Sequence, residues 1–276
     1  MPIPPSPPTT VIKEDLLRSV LPAPTLEAPH PIVLPGIRTV SLLAPLSWLR
    51  LGWLDIWRQP VPSLLYGVVL LMAGAAILLI TEKAPYMFVA AVTGFVLVAP
   101  MLAAGLYEKS RRYLANEPAP FITFTAAWRR DPSSLYGFSF LSLLAGTAWQ
   151  LISVVLLALF YKGSAMTPIA MIVEVLIKPE YTLFFMVYIS VGGALAALIF
   201  AASVVSVPMM VDRQCDLLAA LVTSFSAVSE NPLPLVLWAI IIMLLTGLGF
   251  VTVIGFVFVM PLLGHASFHA YKELVE

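Results

Sequence analysis

Five stretches of this chain, 59–81, 84–107, 132–161, 181–211 and 231–271, run without a single Lys, Arg, Asp or Glu. A helix needs about 20 predominantly apolar residues to cross a bilayer, and backbone polar groups in lipid must be satisfied within the segment. Each stretch is therefore expected to be a membrane helix. The last is about twice too long for one span and is expected to break near Thr246-Gly247-Leu248-Gly249, giving six helices. Composition agrees: 60% hydrophobic and 11% charged residues, with a mean hydropathy of +0.97, exceed what the polar surface of a water-soluble fold can cover.

A proline recurs at one place in three of these stretches. Pro100, Pro208 and Pro261 each have a valine four residues earlier (Val96, Val204, Val257), and charged or titratable side chains follow. Proline inside a helix removes the hydrogen bond to the carbonyl four residues back and kinks the axis. The pattern reads as one helical hairpin used three times, over about 44–115, 121–213 and 216–274. Each unit opens with a short helix stopped by a polar residue and a proline: Gln59-Pro60, Asp131-Pro132 and Asn231-Pro232. A residue before proline leaves the helical region while proline suits the first turn of the next helix, so these pairs mark corners between an in-plane helix and a span. Trp48, Trp53 and Trp57 in the first surface helix and Trp128 in the second, about 121–130, are expected as interfacial anchors. Asp216 is the expected N-cap of the third.

The basic residues are distributed unevenly. Twelve (Lys13, Arg18, Arg38, Arg50, Arg58, Lys109, Arg111, Arg112, Arg129, Arg130, Arg213, Lys272) fall on one side of the expected topology, and Lys83, Lys162 and Lys178 on the other. By the positive-inside rule both termini are cytoplasmic, and a bacterial inner membrane is the expected location. Residues 1–38 read as a Pro-rich, disordered cytoplasmic tail, with 11–21 as a short amphipathic helix, and 39–276 as the six-helix domain. Within the middle repeat, 168–177 reads as a short helix on the other membrane face, started by Thr167-Pro168 and stopped by Lys178-Pro179.

Candidate chemistry is sparse. His265 and His269 are four apart and share a helix face, the spacing two imidazoles need to reach one metal ion. A third ligand would come from Glu108, Asp212 or Cys215, and alignment on the prolines superposes Asp212 on His265 and Glu108 on His269. The competing reading has both histidines facing headgroups or neighbouring helices. Mid-span polarity is confined to Gln150 with Thr93, Ser142, Thr147 and Ser190, which leaves only a small, weakly polar solute for a carrier or channel. The lone Cys215 excludes an intrachain disulfide. Neither paired intramembrane carboxylates nor a Ser placed with a buried His is expected, nor any nucleic-acid motif, so the chain reads as a non-enzyme without a cofactor.

Four motifs carry a family resemblance: Ser-Trp-Leu-Arg-Leu-Gly-Trp at 47–53, Pro-Met-Leu-Ala-Ala-Gly-Leu-Tyr-Glu at 100–108, Ser-Val-Pro-Met-Met-Val-Asp-Arg at 206–213, and Pro-Leu-Leu-Gly-His-Ala-Ser-Phe-His-Ala-Tyr at 261–271. Over 40–275 the chain resembles the bacterial integral membrane family catalogued as domain of unknown function 2189. The resemblance implies a polytopic membrane fold and, through labels that some members carry, a link to cytochrome c oxidase. Only His265 and His269 lie in an expected span, too few for a haem-copper catalytic subunit. The expected role is an accessory, scaffold or assembly component of a larger membrane complex, respiratory complexes included. The alternatives are a carrier or a metal- or haem-handling protein using His265 and His269.

Overall fold

The computed structural model describes residues 34–276 apart from 82–86, 88–90, 92–94, 96–100, 121–122, 131, 164–166, 214 and 253. The tail helix at 11–21, nearly all of the tail itself, Lys83, Thr93, Val96, Pro100 and Asp131 lie outside the described residues. The described chain is helical and its one β feature is an isolated antiparallel bridge between Ile37 and Val275. The helices are α1 (Ala44–Arg58), α2 (Pro60–Thr81), α3 (Ala104–Leu114), α4 (Thr123–Arg130), α5 (Pro132–Phe160), α6 (Pro168–Ile177), α7 (Thr182–Ser203), α8 (Ser206–Arg213), α9 (Leu217–Glu230), α10 (Pro232–Thr252) and α11 (Gly255–Leu274). Among the described residues four segments are long and apolar enough to cross a membrane: Pro60–Ile77, Ser133–Phe160, Pro179–Arg213 and Pro232–Gly249. The expected second span, 84–107, falls largely outside the described residues, and α11 does not belong to that set.

The three proline corners stand where helices end and begin. Helices stop at Arg58, Arg130 and Glu230, and the next start at Pro60, Pro132 and Pro232. At the third, Asn231 is itself a fastener: its Oδ1 accepts from the Val40 N–H at 2.8 Å and its Nδ2 donates to the Arg38 carbonyl at 3.0 Å. The same lead-in is stitched to the chain end, where the Arg38 N–H donates to the Leu274 carbonyl at 2.8 Å. Asp216 caps α9 by accepting from Leu218 N–H at 3.0 Å. Thr167 caps α6, accepting from Ala170 N–H at 3.2 Å.

Helix α11 is the hub, packed by α1, α2, α3 and α10. Two glycines let neighbours reach its backbone. At Gly52 of α1 a Cβ would fall 2.7 Å from the Ala266 nitrogen and 2.9 Å from the Leu262 carbonyl oxygen. At Gly67 of α2 a Cβ would overlap the Val257 carbonyl, the group that Pro261 leaves without its helical partner. The proline therefore frees an acceptor at the spot where α2 comes closest, a setting in which Cα–H contacts recur between helices.

Two expectations change here. The 231–271 stretch breaks between Thr252 and Gly255, not at Thr246–Gly249: α10 continues through Thr252, whose hydroxyl bonds to the Leu248 carbonyl at 2.8 Å. Pro208 is not a kink within one helix, because α7 ends at Ser203 and α8 restarts at Ser206. Ser224 of α9 fills that interruption, accepting from Val205 N–H at 3.1 Å and donating to the Ala201 carbonyl at 2.7 Å. Of the repeat prolines described, Pro261 lies in the interior of a helix and Pro208 in the first turn of α8, so equivalent kinks at one depth are not what they form. Helix α9 faces inward with Ala219, Ala220, Thr223, Ser224 and Ala227 and outward with Leu218, Val222 and Phe225.

Overpacking a close helix crossing costs about 1–3 kcal/mol. We expect Gly52→Ala and Gly67→Ala each to lower the thermal unfolding temperature in mild detergent. Gly247→Ala, where a Cβ meets nothing within 4 Å, should leave it unchanged or slightly raised.

Candidate functional site

Once α1 closes on α11 across Gly52, the polar residues of its inner face have nowhere to go but inward. Trp48, Gly52, Asp55 and Ile56 form that buried face. Asp55 meets His265 and His269 of α11, with Ser63 from the first turns of α2 and Lys109-Ser110 from α3. Ser63, Lys109, Ser110 and His265 are fully buried, Asp55 and His269 nearly so.

The hydrogen bonds run in one direction. Lys109 Nζ donates to Ser63 Oγ at 2.9 Å and to the Gln59 carbonyl at 3.0 Å. Ser63 Oγ donates to His265 Nε2 at 3.1 Å, and His265 Nδ1 donates to Ser110 Oγ at 2.7 Å. Ser110 Oγ then donates to Asp55 Oδ2 at 2.6 Å, where His269 Nε2 also donates at 2.8 Å. This assignment gives every proton an acceptor and fixes His265 as the Nδ1–H tautomer. The other Asp55 oxygen lies 3.4 Å from the half-exposed Arg58 guanidinium. Burial raises the Asp55 carboxyl, but the hydrogen bonds from His269 and Ser110, with the two imidazoles alongside, hold it below its ordinary 3.8. Tyr113 covers the cluster, its ring 6.5 Å from that of His265, with Arg58 and Lys109 over its face at 5.5 and 5.6 Å.

The sequence expectation that no Ser accompanies a buried His is overturned, since Ser63 and Ser110 both bond to His265. A hydroxyl, an imidazole and a carboxylate in series resemble a nucleophile, base and orienting acid, here with Ser110 interposed. Ser63 Oγ is fully buried, donates to His265 and accepts from Lys109. In this arrangement the cluster joins four helices.

The proposed metal-ligand set is not brought together. Glu108 accepts from Arg111 Nε at 2.7 Å and Arg112 Nε at 2.8 Å. Asp212 accepts from Tyr271 Oη at 2.8 Å and Lys272 Nζ at 3.0 Å. Among the described residues no three His, Cys, Asp or Glu groups are placed to share a metal ion. On α3 the residue that hydrogen-bonds to His265 is Ser110, two beyond Glu108. Trp48 is not an interfacial anchor: it is buried, donates to Glu273 Oε2 at 2.7 Å and meets the Trp238 ring edge-on at 5.6 Å. Trp53 and Trp57 are exposed at 43% and 54%, and Trp128 is half-buried against Tyr136. Gln150 lies on α5, its amide nitrogen buried without a hydrogen-bond partner among the described residues. Sequence reading missed Asp55, Ser63, Lys109 and Ser110 as a group. The available signal was Asp55 on the same helical stripe as Trp48, Gly52 and Ile56.

Comparison with known proteins now bears on the chain. Residues 87–212 match the family model of DUF2189, a predicted integral membrane protein. The match supports the resemblance drawn from 100–108 and 206–213, while the motifs at 47–53 and 261–271 lie outside it. With its four span-length apolar helices, this is an integral membrane protein. No curated protein and no solved structure matches the chain.

Removing one partner from a buried charged pair costs about 3–5 kcal/mol. Asp55→Ala should therefore destabilise strongly, and combination with His269→Ala should be less than additive by about 1 kcal/mol or more, as read by unfolding in one detergent. Because the folded carboxyl sits below 3.8, its stabilisation is complete above the unfolded value. It is lost as pH falls from about 4 through the folded value. Asp55→Asn should remove this acid-side loss.

Proposed function

We propose that this chain is a non-catalytic accessory or scaffold protein of a larger membrane complex, docking its partner through the outer face of α1. One observation carries the reading: α1 is clamped to α2, α3 and α11 by the Asp55 cluster, while Leu46, Trp53, Leu54 and Trp57 on its other side are exposed. Trp53 and Trp57 stand edge-to-face at 5.6 Å. A rigid helix presenting paired tryptophans is the kind of anchor that dominates protein interfaces, because little side-chain entropy is lost on binding. The enclosed polar cluster is consistent with a role in holding shape.

In this reading the chain crosses a bacterial inner membrane six times as three hairpins, with both termini cytoplasmic. The spans are the four long apolar helices together with 84–107 and α11. The lysines and arginines concentrated on the side of Arg38, Arg58, Arg111, Arg112 and Arg213 support that orientation.

Purification of the tagged protein from its native membrane in mild detergent, followed by mass spectrometry, tests the proposal. A partner at a fixed stoichiometry is expected. Trp53→Ala with Trp57→Ala should release it without changing the thermal unfolding temperature by more than a few degrees. A wild-type protein that purifies alone would sink the docking reading.

A further inference from the structure

A second feature of the bundle is unrelated to the polar clamp. Between α7 and α10, with α11 as its floor, lies a crevice of about 470 Å³, within the usual range of ligand sites. Met260 and Leu263 form part of the floor. At the mouth, Ile240 and Met243 of α10 are 46% and 71% exposed, and both flanking helices lie in span-length apolar segments. The opening therefore faces hydrocarbon. Small side chains create the space: Gly193 and Ala197 of α7 line it, and a Cβ at Gly193 would meet nothing within 4 Å.

We propose that this crevice binds a single hydrocarbon chain of a membrane lipid. Water is a poor occupant, because a buried water needs two to four polar partners. The lining is mostly apolar; of its polar groups Ser203 donates to the Phe200 carbonyl at 3.4 Å and Ser267 to the Leu263 carbonyl at 2.8 Å, and the Trp238 indole N–H is a lone buried donor without a partner among the described residues, fewer than a water needs. A void is also unfavourable, since its lining forfeits dispersion contacts on one side. A flexible acyl chain supplied by the surrounding bilayer fits the shape and the chemistry, and it enters from the side on which the crevice opens.

The test uses the full-length protein, stripped of lipid in mild detergent, titrated with dioleoyl phosphatidylcholine and read by native mass spectrometry. A one-lipid adduct that saturates is expected for the wild type. Gly193→Leu should fill the space, keep the unfolding temperature at or above that of the wild type, and weaken the adduct about tenfold or more. Gly247→Leu serves as the control, because it too points into open space but does not line the crevice, and it should bind like the wild type. Equal adducts in both variants would mean only a non-specific lipid belt and would overturn the proposal. A Gly193→Leu protein that unfolds would overturn it as well, by showing that protein atoms occupy the space. The inference stands independently of partner docking by α1.

Discussion

The contact on which the rest depends is backbone to backbone: α1 lies on α11 at Gly52, closer than any residue with a Cβ allows. That approach turns Asp55 inward, and an inward carboxylate in an apolar bundle is tolerable only if it is paired and hydrogen-bonded. His269, Ser110 and, through Ser110, His265 supply the partners, and each belongs to a helix that must then be in place. A small residue on one helix thus sets the polarity of a site built from four. Desolvating Asp55 and Lys109 offsets much of what their hydrogen bonds return.

The same helix serves two environments. Met260, Leu263 and Ser267 of α11 line the apolar crevice, while His265 and His269 of the same helix enter the clamp. The carbonyl that Pro261 frees is the one Gly67 of α2 approaches. At the interrupted α7–α8 junction Ser224 bridges the break, accepting from the Val205 N–H and donating to the Ala201 carbonyl. A shared proline spacing did not translate into a shared backbone shape: Pro261 lies inside a continuous helix, Pro208 in the first turn of one that has just restarted.

What was legible in the sequence was local. The corners at Pro60, Pro132 and Pro232 follow from the steric restriction that proline places on the residue before it, and the caps at Thr167 and Asp216 from side chains reaching two or three residues on. The site was legible only as the pair His265 and His269, whose spacing on one helix is a local fact. Their partner Asp55 is 214 positions from His269, and no periodicity in the chain encodes that meeting. Trp48 misled for a related reason: its type suits a headgroup region, but its place on the Gly52–Asp55 stripe sends it inward to Glu273. Trp53 and Trp57, with the same chemistry on the other face, stay exposed.

Helix α9 carries the argument to the membrane itself. In water an amphipathic helix buries its large apolar residues, yet here Leu218, Val222 and Phe225 point out while alanines, Thr223 and Ser224 point in. Lipid removes the reason to hide leucine, leaving close approach and hydrogen bonding as the forces that select the inner face. Thr223 bonds within its own helix to the Ala219 carbonyl at 2.7 Å, and Ser224 reaches across to Ala201 and Val205. Gly52 and Gly67 on α1 and α2 obey the same rule at the hub. The bundle is therefore organised by small residues that admit backbones and by hydroxyls that join them, and a count of its hydrophobic residues, which fixed the class of protein at once, says nothing about which faces meet.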